Sequence, residues 1–311
     1  MKRTLCIIAT LSAAATASAW IMPSGAGARP AAMQFAVTAL ADDVYCAAIN
    51  PAALAALEGR EAGLDFARLF WGLSDESSLV NGFAGYAQRF PDIGTLGIAW
   101  RHFSLAGYYT ENLLSAGIGR TLPWYGIRAG AALKVGFLEY GRTPYTQSAV
   151  NLETGQQLNG TDPVFSSGYG TAWFTMDIGA LYAITPEHTV GLAINDLIPP
   201  DIGIAATDTR SANARIGYAL RNRLLTGTAD VVFDADSMAL NLGAEKMFAL
   251  GSDALIGVRC GFGAGTLEYY SAALGASYRY GSLVQFDYAF RYPLNGIGTF
   301  GSHQFSCTLK M

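Results

Sequence analysis

The residues with the greatest capacity for chemistry in this sequence stand apart from one another. The three histidines, His102, His188 and His303, have neither a histidine four residues away nor a carboxylate at metal-ligand spacing. No Gly-x-Ser-x-Gly elbow is present, and Asp234-Ala235-Asp236 begins like a calcium loop but lacks its glycine and closing glutamate. The sequence therefore predicts no enzyme: no catalytic site, no metal site and no cofactor.

The start of the chain predicts export. Lys2 and Arg3 precede an apolar stretch from 5 to 15, and Ala17-Ser18-Ala19 offers small residues for cleavage after Ala19. We therefore expect residues 1–19 to be a signal peptide, which is too short to be a membrane anchor. The three cysteines beyond it, Cys46, Cys260 and Cys307, are widely spaced and predict no disulfide framework.

The composition favours a membrane protein built from strands. The chain is 51% hydrophobic and 14% charged, whereas ordinary soluble domains contain about 25% charged residues. No run beyond the signal reaches about 18 consecutive apolar residues, which excludes a helical membrane protein. The formal net charge is −4 and no basic patch is present, so nucleic acid is not an expected partner.

Alternating apolar and polar residues predict fourteen strands after residue 60. In one segment Leu133, Val135 and Phe137 alternate with Lys134, and in another Phe286 and Tyr288 flank Asp287. An even count suits a single-chain bacterial barrel, and a soluble β-sandwich, which shares the alternation, would not explain the low charge. The predicted strands start near residues 61, 78, 95, 109, 126, 169, 188, 212, 223, 237, 253, 268, 282 and 300.

The joints between these segments predict an orientation. Every second joint is tight, as at 91–94, and several of the others are long, as at 141–168 and 198–211. Because outer-membrane barrels have short periplasmic turns and longer outer loops, the tight joints should face the periplasm. Aromatic residues near the strand ends predict interfacial belts, with Trp124 and Tyr125 at the periplasmic level and Tyr109, Tyr140 and Tyr269 at the outer one.

The N-terminal segment, residues 20–60, lacks strand alternation and predicts a plug inside the barrel, which we call the hatch. A fourteen-stranded barrel encloses space that water or a plug must fill, and this segment is too apolar to be a solvated tail. Within it, Asn50-Pro51 predicts the start of a short helix. A partner-binding arm outside the barrel is the alternative. The hatch and ligand-path candidates are Arg29, Met33, Phe35, Leu40, Asp42, Asp43, Asn50, Pro51 and Leu54.

Charged residues on the polar faces of the strands are expected to line the lumen, where they pair with one another or with the hatch rather than form a selectivity ring. An apolar cavity is expected beside Phe35, Leu40 and Leu54. We expect Arg29, Asp42 and Asp43 of the hatch to meet lumen charges such as Arg128, Lys134, Asp230, Arg259, Arg279 and Asp287. The polar lumen candidates are Arg128, Lys134, Asp177, Asp230, Glu245, Arg259, Arg279 and Asp287.

Three N-terminal motifs carry a resemblance to a known group. They are Gly27-Ala28-Arg29, the stretch 36–43 that ends in Asp42-Asp43, and the box Asn50-Pro51-Ala52-Ala53-Leu54. Together they resemble the start of FadL-like and PorV/PorQ-family outer-membrane proteins, which typically have Gly-Gly where this chain has Gln34-Phe35. The resemblance implies a fourteen-stranded outer-membrane barrel with an N-terminal hatch.

The two branches of that group imply two functions. In the FadL branch small hydrophobic molecules bind near the hatch and leave sideways into the bilayer, so the expected partners are outer-membrane lipid and a hydrophobic ligand. In the PorV/PorQ branch the proteins serve type IX secretion or surface attachment, so the loops 141–168 and 198–211 would bind secretion-system proteins. The sequence leaves both open.

Overall fold

The alternating segments form fourteen antiparallel strands in the computed structural model, which describes residues 25–40, 42–123, 125–149, 151, 154, 156, 160, 162–266 and 269–311. Each predicted start lies within three residues of the observed one, so the predicted count is confirmed. The strands are β1 (Arg60–Leu69), β2 (Leu79–Phe90), β3 (Gly94–Leu105), β4 (Tyr109–Thr121), β5 (Arg128–Tyr140), β6 (Gly170–Ala183), β7 (His188–Asn195), β8 (Asn213–Arg221), β9 (Thr226–Asp234), β10 (Ser237–Leu250), β11 (Ala254–Gly265), β12 (Tyr269–Tyr280), β13 (Val284–Pro293) and β14 (Ser302–Lys310).

Helices are short throughout the described residues. The hatch contains α1 (Ala28–Ala32) and two 3₁₀ helices, Cys46–Ala48 and Pro51–Ala56, and the loop between β5 and β6 contains α2 (Pro144–Gln147) and the 3₁₀ helix Pro163–Phe165. None of the described helices has the length and apolar character needed to cross a bilayer. The predicted signal peptide lies outside the described residues.

The strands close into a barrel because the first one pairs with the last. β1 is hydrogen-bonded to β2 on one side and to β14 on the other, from Glu61 opposite Lys310 to Arg68 opposite His303. The closure gives the first and last strands two neighbours each, and the ladders satisfy backbone polar groups that lipid cannot.

The outer face of the barrel is apolar and the inner face is polar. Leu64 is 64% exposed and Leu133 is 66% exposed on the outside, whereas the adjacent Asp65 and Lys134 are buried inside. A water-soluble protein rarely exposes so continuous an apolar surface, and lipid is the solvent that favours it. The fold is a transmembrane antiparallel β-barrel, as the sequence predicts.

The two ends of the barrel differ in their connections. The joints at 91–93, 122–127, 184–187, 222–225, 251–253 and 281–283 are short and define the tight-turn end, where β1 also begins and β14 ends. The opposite, long-loop end carries the segments 70–78, 141–169, 196–212 and 294–301. Its other joints, 106–108, 235–236 and 266–268, are as short as the tight turns, so the alternation of joint length is not strict.

The aromatic belts are only partly as predicted. Tyr125 is 86% exposed at the tight-turn end, and Trp124 lies outside the described residues. Tyr109, Tyr140 and Tyr269 lie near the long-loop end, but they share a strand face with the buried residues Leu113, Leu138 and Ser271. They therefore face the lumen rather than the lipid.

Candidate functional site

The described part of the hatch lies inside the barrel. The helix α1 packs on β11 to β14, and the 3₁₀ helix Pro51–Ala56 packs on β3 to β6, so the segment contacts opposite parts of the wall. Asn50 begins this 3₁₀ helix as predicted, because its Oδ1 accepts a hydrogen bond from the amide of Ala52 at 3.0 Å. The Nδ2 of Asn50 donates to the carbonyl of Thr38 at 2.8 Å, which ties the two halves of the hatch together.

A belt of inward-facing glycines makes room for the hatch. At each of ten glycines, on ten different strands, a Cβ atom would lie closer than 3.0 Å to a hatch atom. The hatch therefore lies closer to the wall than any residue with a Cβ atom at these positions would allow. The ten positions are Gly63, Gly97, Gly119, Gly130, Gly179, Gly191, Gly217, Gly243, Gly261 and Gly275.

An ionic cluster fixes the first half of the hatch to the wall. The Nε and Nη2 atoms of Arg29 donate to the two carboxylate oxygens of Glu245 at 2.7 and 2.9 Å. Its Nη1 donates to Asp42 at 2.6 Å and to Asp43 at 2.9 Å. Arg259 continues the chain of charges, because its Nε donates to Glu245 at 2.6 Å and its Nη1 to Asp287 at 2.8 Å.

The charge state of Asp42 follows from these neighbours. Burial by itself raises the pKa of a carboxyl group, but the guanidinium groups of Arg29 and Arg221 outweigh this effect and hold the pKa of Asp42 below its usual range. Asp42 is therefore ionised at neutral pH and accepts hydrogen bonds from both arginines.

A second anchor joins the hatch to β8 and β9. The amide and hydroxyl of Thr38 donate to Asp230 Oδ2 at 3.0 and 2.6 Å. Arg215 donates from Nε to the hydroxyl of Thr38 at 3.1 Å and from Nη2 to the carbonyl of Phe35 at 2.7 Å. These groups are almost fully buried, so each depends on its partners for solvation.

The hatch has an unusual backbone conformation at Gln34 and Phe35. Both have positive φ values, 53° and 55°, in the left-handed region that favours glycine. The Nε2 of Gln34 donates to Ser271 at 2.8 Å, and the guanidinium of Arg291 lies 4.9 Å from the ring centre of Phe35. The resembled group typically has Gly-Gly at these two positions. Here two non-glycine residues adopt the left-handed backbone, which costs about 1–3 kcal/mol per residue.

Aromatic side chains of β3 to β6 line the lumen near the long-loop end of the barrel. The ring of Tyr109 lies 5.9 Å from that of Phe103 and 5.4 Å from that of Tyr140. Trp173 is buried against the backbone of Gly136, and the guanidinium of Arg210 lies 5.3 Å from its ring centre. With Leu113 and Leu138, which are also buried, these rings form what we call the aromatic wall.

The barrel wall is incomplete beside Trp173. β6 pairs with β7 only from Ile178 to Ala183, so the ladder between the two strands does not extend to residues 170–177 of β6. The loop 196–212 covers this notch, with Leu197 donating to the carbonyl of Met176 at 2.8 Å. Arg210 of the same loop donates to both carboxylate oxygens of Glu111 at 3.0 and 2.9 Å.

A polar cavity of about 260 Å³ opens beside the ionic cluster near the tight-turn end. It is lined by Arg29, Asp42, Glu245 and Arg279, among others. The prediction of an apolar cavity beside Phe35, Leu40 and Leu54 is wrong for the described residues. These side chains are at most 4% exposed, because the hatch packs closely on the glycine belt.

The hatch candidates come together inside the lumen, with different contacts. Arg29, Asp42 and Asp43 form the ionic cluster, Asn50 and Pro51 begin the 3₁₀ helix, and Met33, Phe35, Leu40 and Leu54 are buried apolar contacts. Whether any of them contacts a ligand stays a prediction.

The polar lumen candidates separate into three groups. Glu245, Arg259 and Asp287 belong to the ionic cluster, and Asp230 anchors Thr38. Lys134 and Asp177 pair with each other at 2.6 Å and do not bind the hatch. Arg128 and Arg279 form no ion pair with any described residue, so the expected contacts of the hatch with Arg128, Lys134 and Arg279 are corrected.

Several residues of the site escaped the sequence analysis. Arg215 shares a strand face with Gly217 and Ala219, opposite the apolar Ile216 and Tyr218, so strand parity alone places it inward. Arg221, at the end of β8, pairs with Asp42, and no sequence pattern predicts this pair. Glu111 and Arg210 are 99 residues apart, and only the closed barrel brings them together.

One group of residues has metal-ligand geometry but is already occupied by protein. A carboxylate oxygen of Asp42, one of Asp43 and the Sγ of Cys46 lie within 4.8 Å of one another. The guanidinium of Arg29 binds both carboxylates, and the amide of Cys46 donates to Asp43 at 2.8 Å. A cation there would have to displace Arg29.

No protein-family model and no curated protein matches this sequence. Solved structures do. A monoaromatic hydrocarbon channel, CymD, aligns with a TM-score of 0.66 at 14% identity, covering 92% of this chain and 98% of its own. A FadL homologue from Pseudomonas aeruginosa aligns with a TM-score of 0.60 at 12% identity, covering 93% and 99%. The toluene transporter TbuX of Ralstonia pickettii gives 0.57 at 14%, covering 92% and 97%. The chain shares the barrel fold of these proteins.

Proposed function

We propose that this protein lets small hydrophobic molecules, of the size of a single aromatic ring, cross a bacterial outer membrane. The observation that carries the proposal is the aromatic wall, a cluster of rings on the inner face of the barrel. Aromatic rings bind one another through stacked and edge-to-face contacts worth about 0.5–1.5 kcal/mol beyond the burial of area. The fold similarity to hydrocarbon channels supports the same conclusion.

The proposed path enters at the long-loop end and leaves through the side of the barrel. The hatch blocks the straight route, because it is seated on glycines of ten strands. The notch between β6 and the loop 196–212 lies beside Trp173, so a bound molecule needs to displace only Arg210 and its loop to reach lipid. In this scheme the long-loop end faces outward and the tight-turn end faces the periplasm.

Uptake of labelled toluene by intact cells tests the proposal. Intact cells are needed because their lipopolysaccharide leaflet excludes hydrophobic molecules that a plain phospholipid vesicle admits. We expect cells that make the protein to take up toluene faster than cells that do not. Equal rates, with a folded barrel present in the outer membrane, would contradict the proposal.

Two tryptophan variants make the test specific. Trp173→Ala removes a ring of the aromatic wall and should lower uptake by about two- to tenfold, the equivalent of one aromatic contact. Trp100→Ala removes an outward-facing ring that is 42% exposed and should leave uptake unchanged. Equal effects of the two variants would show that the aromatic wall does not contact the molecule.

A locked hatch tests the route. An ideal Cβ on Gly217 lies 2.8 Å from the Cβ of Thr38, so a small shift brings a cysteine pair there to disulfide distance. The variant Thr38→Cys/Gly217→Cys is made after replacing Cys46, Cys260 and Cys307 with alanine. Uptake should be the same with the disulfide oxidised or reduced. Loss of uptake only in the oxidised form would mean that molecules pass through the hatch.

The secretion role is the second function that the sequence left open. None of the three structures described above is a secretion component. No feature of the described loop residues favours that role over passage of small molecules.

A further inference from the structure

The polar cavity near the tight-turn end has more cationic than anionic side chains on its wall. Its lining includes three carboxylates, those of Asp42, Asp43 and Glu245. Against these stand five cations, Arg29, Arg221, Arg259, Arg279 and Lys310. Two of these cations have further partners outside the lining, because Arg259 also pairs with Asp287 and Lys310 pairs with Glu61.

The three carboxylates are already neutralised by the protein. Asp42 binds Arg29 and Arg221, Asp43 binds Arg29, and Glu245 binds Arg29 and Arg259. Every one of them lies within 3.0 Å of a guanidinium nitrogen. They therefore offer little attraction to a further cation.

Arg279 is the cation of this lining that the described residues leave without an ion pair. Its Nε is buried and has no hydrogen-bond partner. On the neighbouring strand it lies opposite Gln285, whose Nε2 donates to Asp287 at 2.9 and 3.0 Å. A buried donor without a partner is costly, and a bound acceptor would remove that cost.

We infer that this cavity is a binding site for a small oxyanion, a carboxylate or a phosphate, held by Arg279. A guanidinium group presents two parallel N–H donors that match the oxygens of either anion. A cavity of about 260 Å³ admits a small anion and excludes a drug-sized one. The inference does not rest on the passage of hydrocarbons, because the cavity lies on the other side of the hatch from the aromatic wall.

Titration of the full-length protein in detergent with sodium benzoate and with inorganic phosphate, each at constant ionic strength, tests the inference. Ligand-observed NMR gives the dissociation constant. We expect saturable binding of at least one probe, and Arg279→Gln should weaken it about tenfold or more, as expected for a lost charge-assisted pair. Binding of benzoate alone indicates an organic carboxylate as ligand, and binding of phosphate alone indicates a phosphorylated one.

Arg120→Gln is the matched control. Arg120 lies near the same end of the barrel but on the outer face, where it is exposed. It should bind both probes as the unaltered protein does, and Arg279→Lys, which keeps the charge without the fork, should fall between the two. Heat-modifiable migration on a gel confirms that each variant is folded. No saturation with either probe, or equal weakening by Arg279→Gln and Arg120→Gln, would overturn the inference.

Discussion

The two halves of the hatch are held in the barrel by different forces. Residues 28–43 attach to β8 to β14 through buried charges, centred on Arg29 and on Asp230. Residues 44–57 attach to β1 to β6 mainly by fit, with Pro51 and Leu54 pressed against glycines of the wall. Close packing against glycine holds both halves, and a network of buried ion pairs is added in the first.

Ion pairs and close packing respond differently to the conditions of the solution. A buried carboxylate depends strongly on its cation, so pH, ions or a bound anion can change the charged half. Close packing against glycine has no such variable, and only a change of volume disturbs it. We therefore expect the charged half to respond to solution conditions and the packed half to ignore them.

Cys46 reports on the seating of both halves. It is fully buried between them, in contact with a core that includes Leu40, Ile49 and Ala53. In a Cys260→Ser/Cys307→Ser background it is the remaining cysteine of residues 20–311. Its rate of reaction with dithiodipyridine, relative to that of the denatured chain, measures how often the hatch leaves its seat.

Removal of Arg29 should have the largest effect. Arg29→Ala leaves Asp42, Asp43 and Glu245 with one buried cation fewer, and breaking such a network costs about 3–5 kcal/mol. Because about 1.4 kcal/mol corresponds to a factor of ten, Cys46 should react at least about 100-fold faster.

Arg221→Ala provides the matched comparison for this variant. The side chain of Arg221 is 50% exposed where it meets Asp42, and exposed ion pairs contribute about 0–1 kcal/mol. Its effect on Cys46 should therefore be small. If Arg29→Ala changed the rate no more than Arg221→Ala does, the first half would not be held by charge.

A single methyl group should disturb the packed half. A Cβ on Gly130 would overlap the backbone of Pro51, so Gly130→Ala forces the 3₁₀ helix off the wall. Overpacking costs about 1–3 kcal/mol, which predicts labelling of Cys46 about 5- to 100-fold faster and independent of salt. Gly298→Ala is the control, because its Cβ would have nothing within 4 Å. If the labelling rate of Gly130→Ala depended strongly on salt, the second half would also be held by charge.

Asn50 links the halves, and its loss should have a smaller effect. Asn50→Ala removes the cap of the 3₁₀ helix and the hydrogen bond to the carbonyl of Thr38, a change of about 1–2 kcal/mol. Asn50→Ser keeps a capping oxygen but cannot reach Thr38, so it should restore part of the loss. Cys46 labelling of the two variants measures the link separately from the cap. Identical rates in both would mean that only the bond to Thr38 matters.

The strands could be predicted from the sequence because each is a local pattern. Alternation fixes which residues face the lumen, and turn residues fix where strands end, so all fourteen starts lie within three residues of the predicted ones. Lumen-facing charges such as Lys134 and Glu245 follow from the same parity.

The pairing of those charges could not be predicted, because it depends on the path of the hatch. Arg29 and Glu245 are 216 residues apart, and Asp42 and Arg221 are 179 apart. Periodicity carries no information on how a segment without strands crosses the lumen. The left-handed backbone at Gln34 and Phe35 could not be predicted for another reason: neither residue type favours a positive φ, as glycine does.

Acid provides the last and smallest test of the comparison. The pKa of Asp42 is held below its ordinary value of 3.8 by Arg29 and Arg221 against the effect of burial. A carboxyl group whose pKa is lowered on folding stabilises the native state above its unfolded pKa and loses that contribution as the pH falls through the folded value. The contribution of Asp42 to the seating of the hatch should therefore be constant from pH 7 to pH 5 and weaken only below about pH 4.

The labelling of Cys46 as a function of pH measures this loss. Because the side chain of Asp42 is 27% exposed, we expect its part to be only a few-fold, about 1 kcal/mol or less. Asp42→Asn should label faster than the unaltered chain at pH 7 and show a weaker rise in acid. Gly130→Ala should keep the full rise, because the packed half has no part in it. A labelling rate that rises already near pH 6, or that rises equally in Asp42→Asn, would place the acid-sensitive contact elsewhere in the lumen. The charge of Asp42 would then not hold the first half of the hatch.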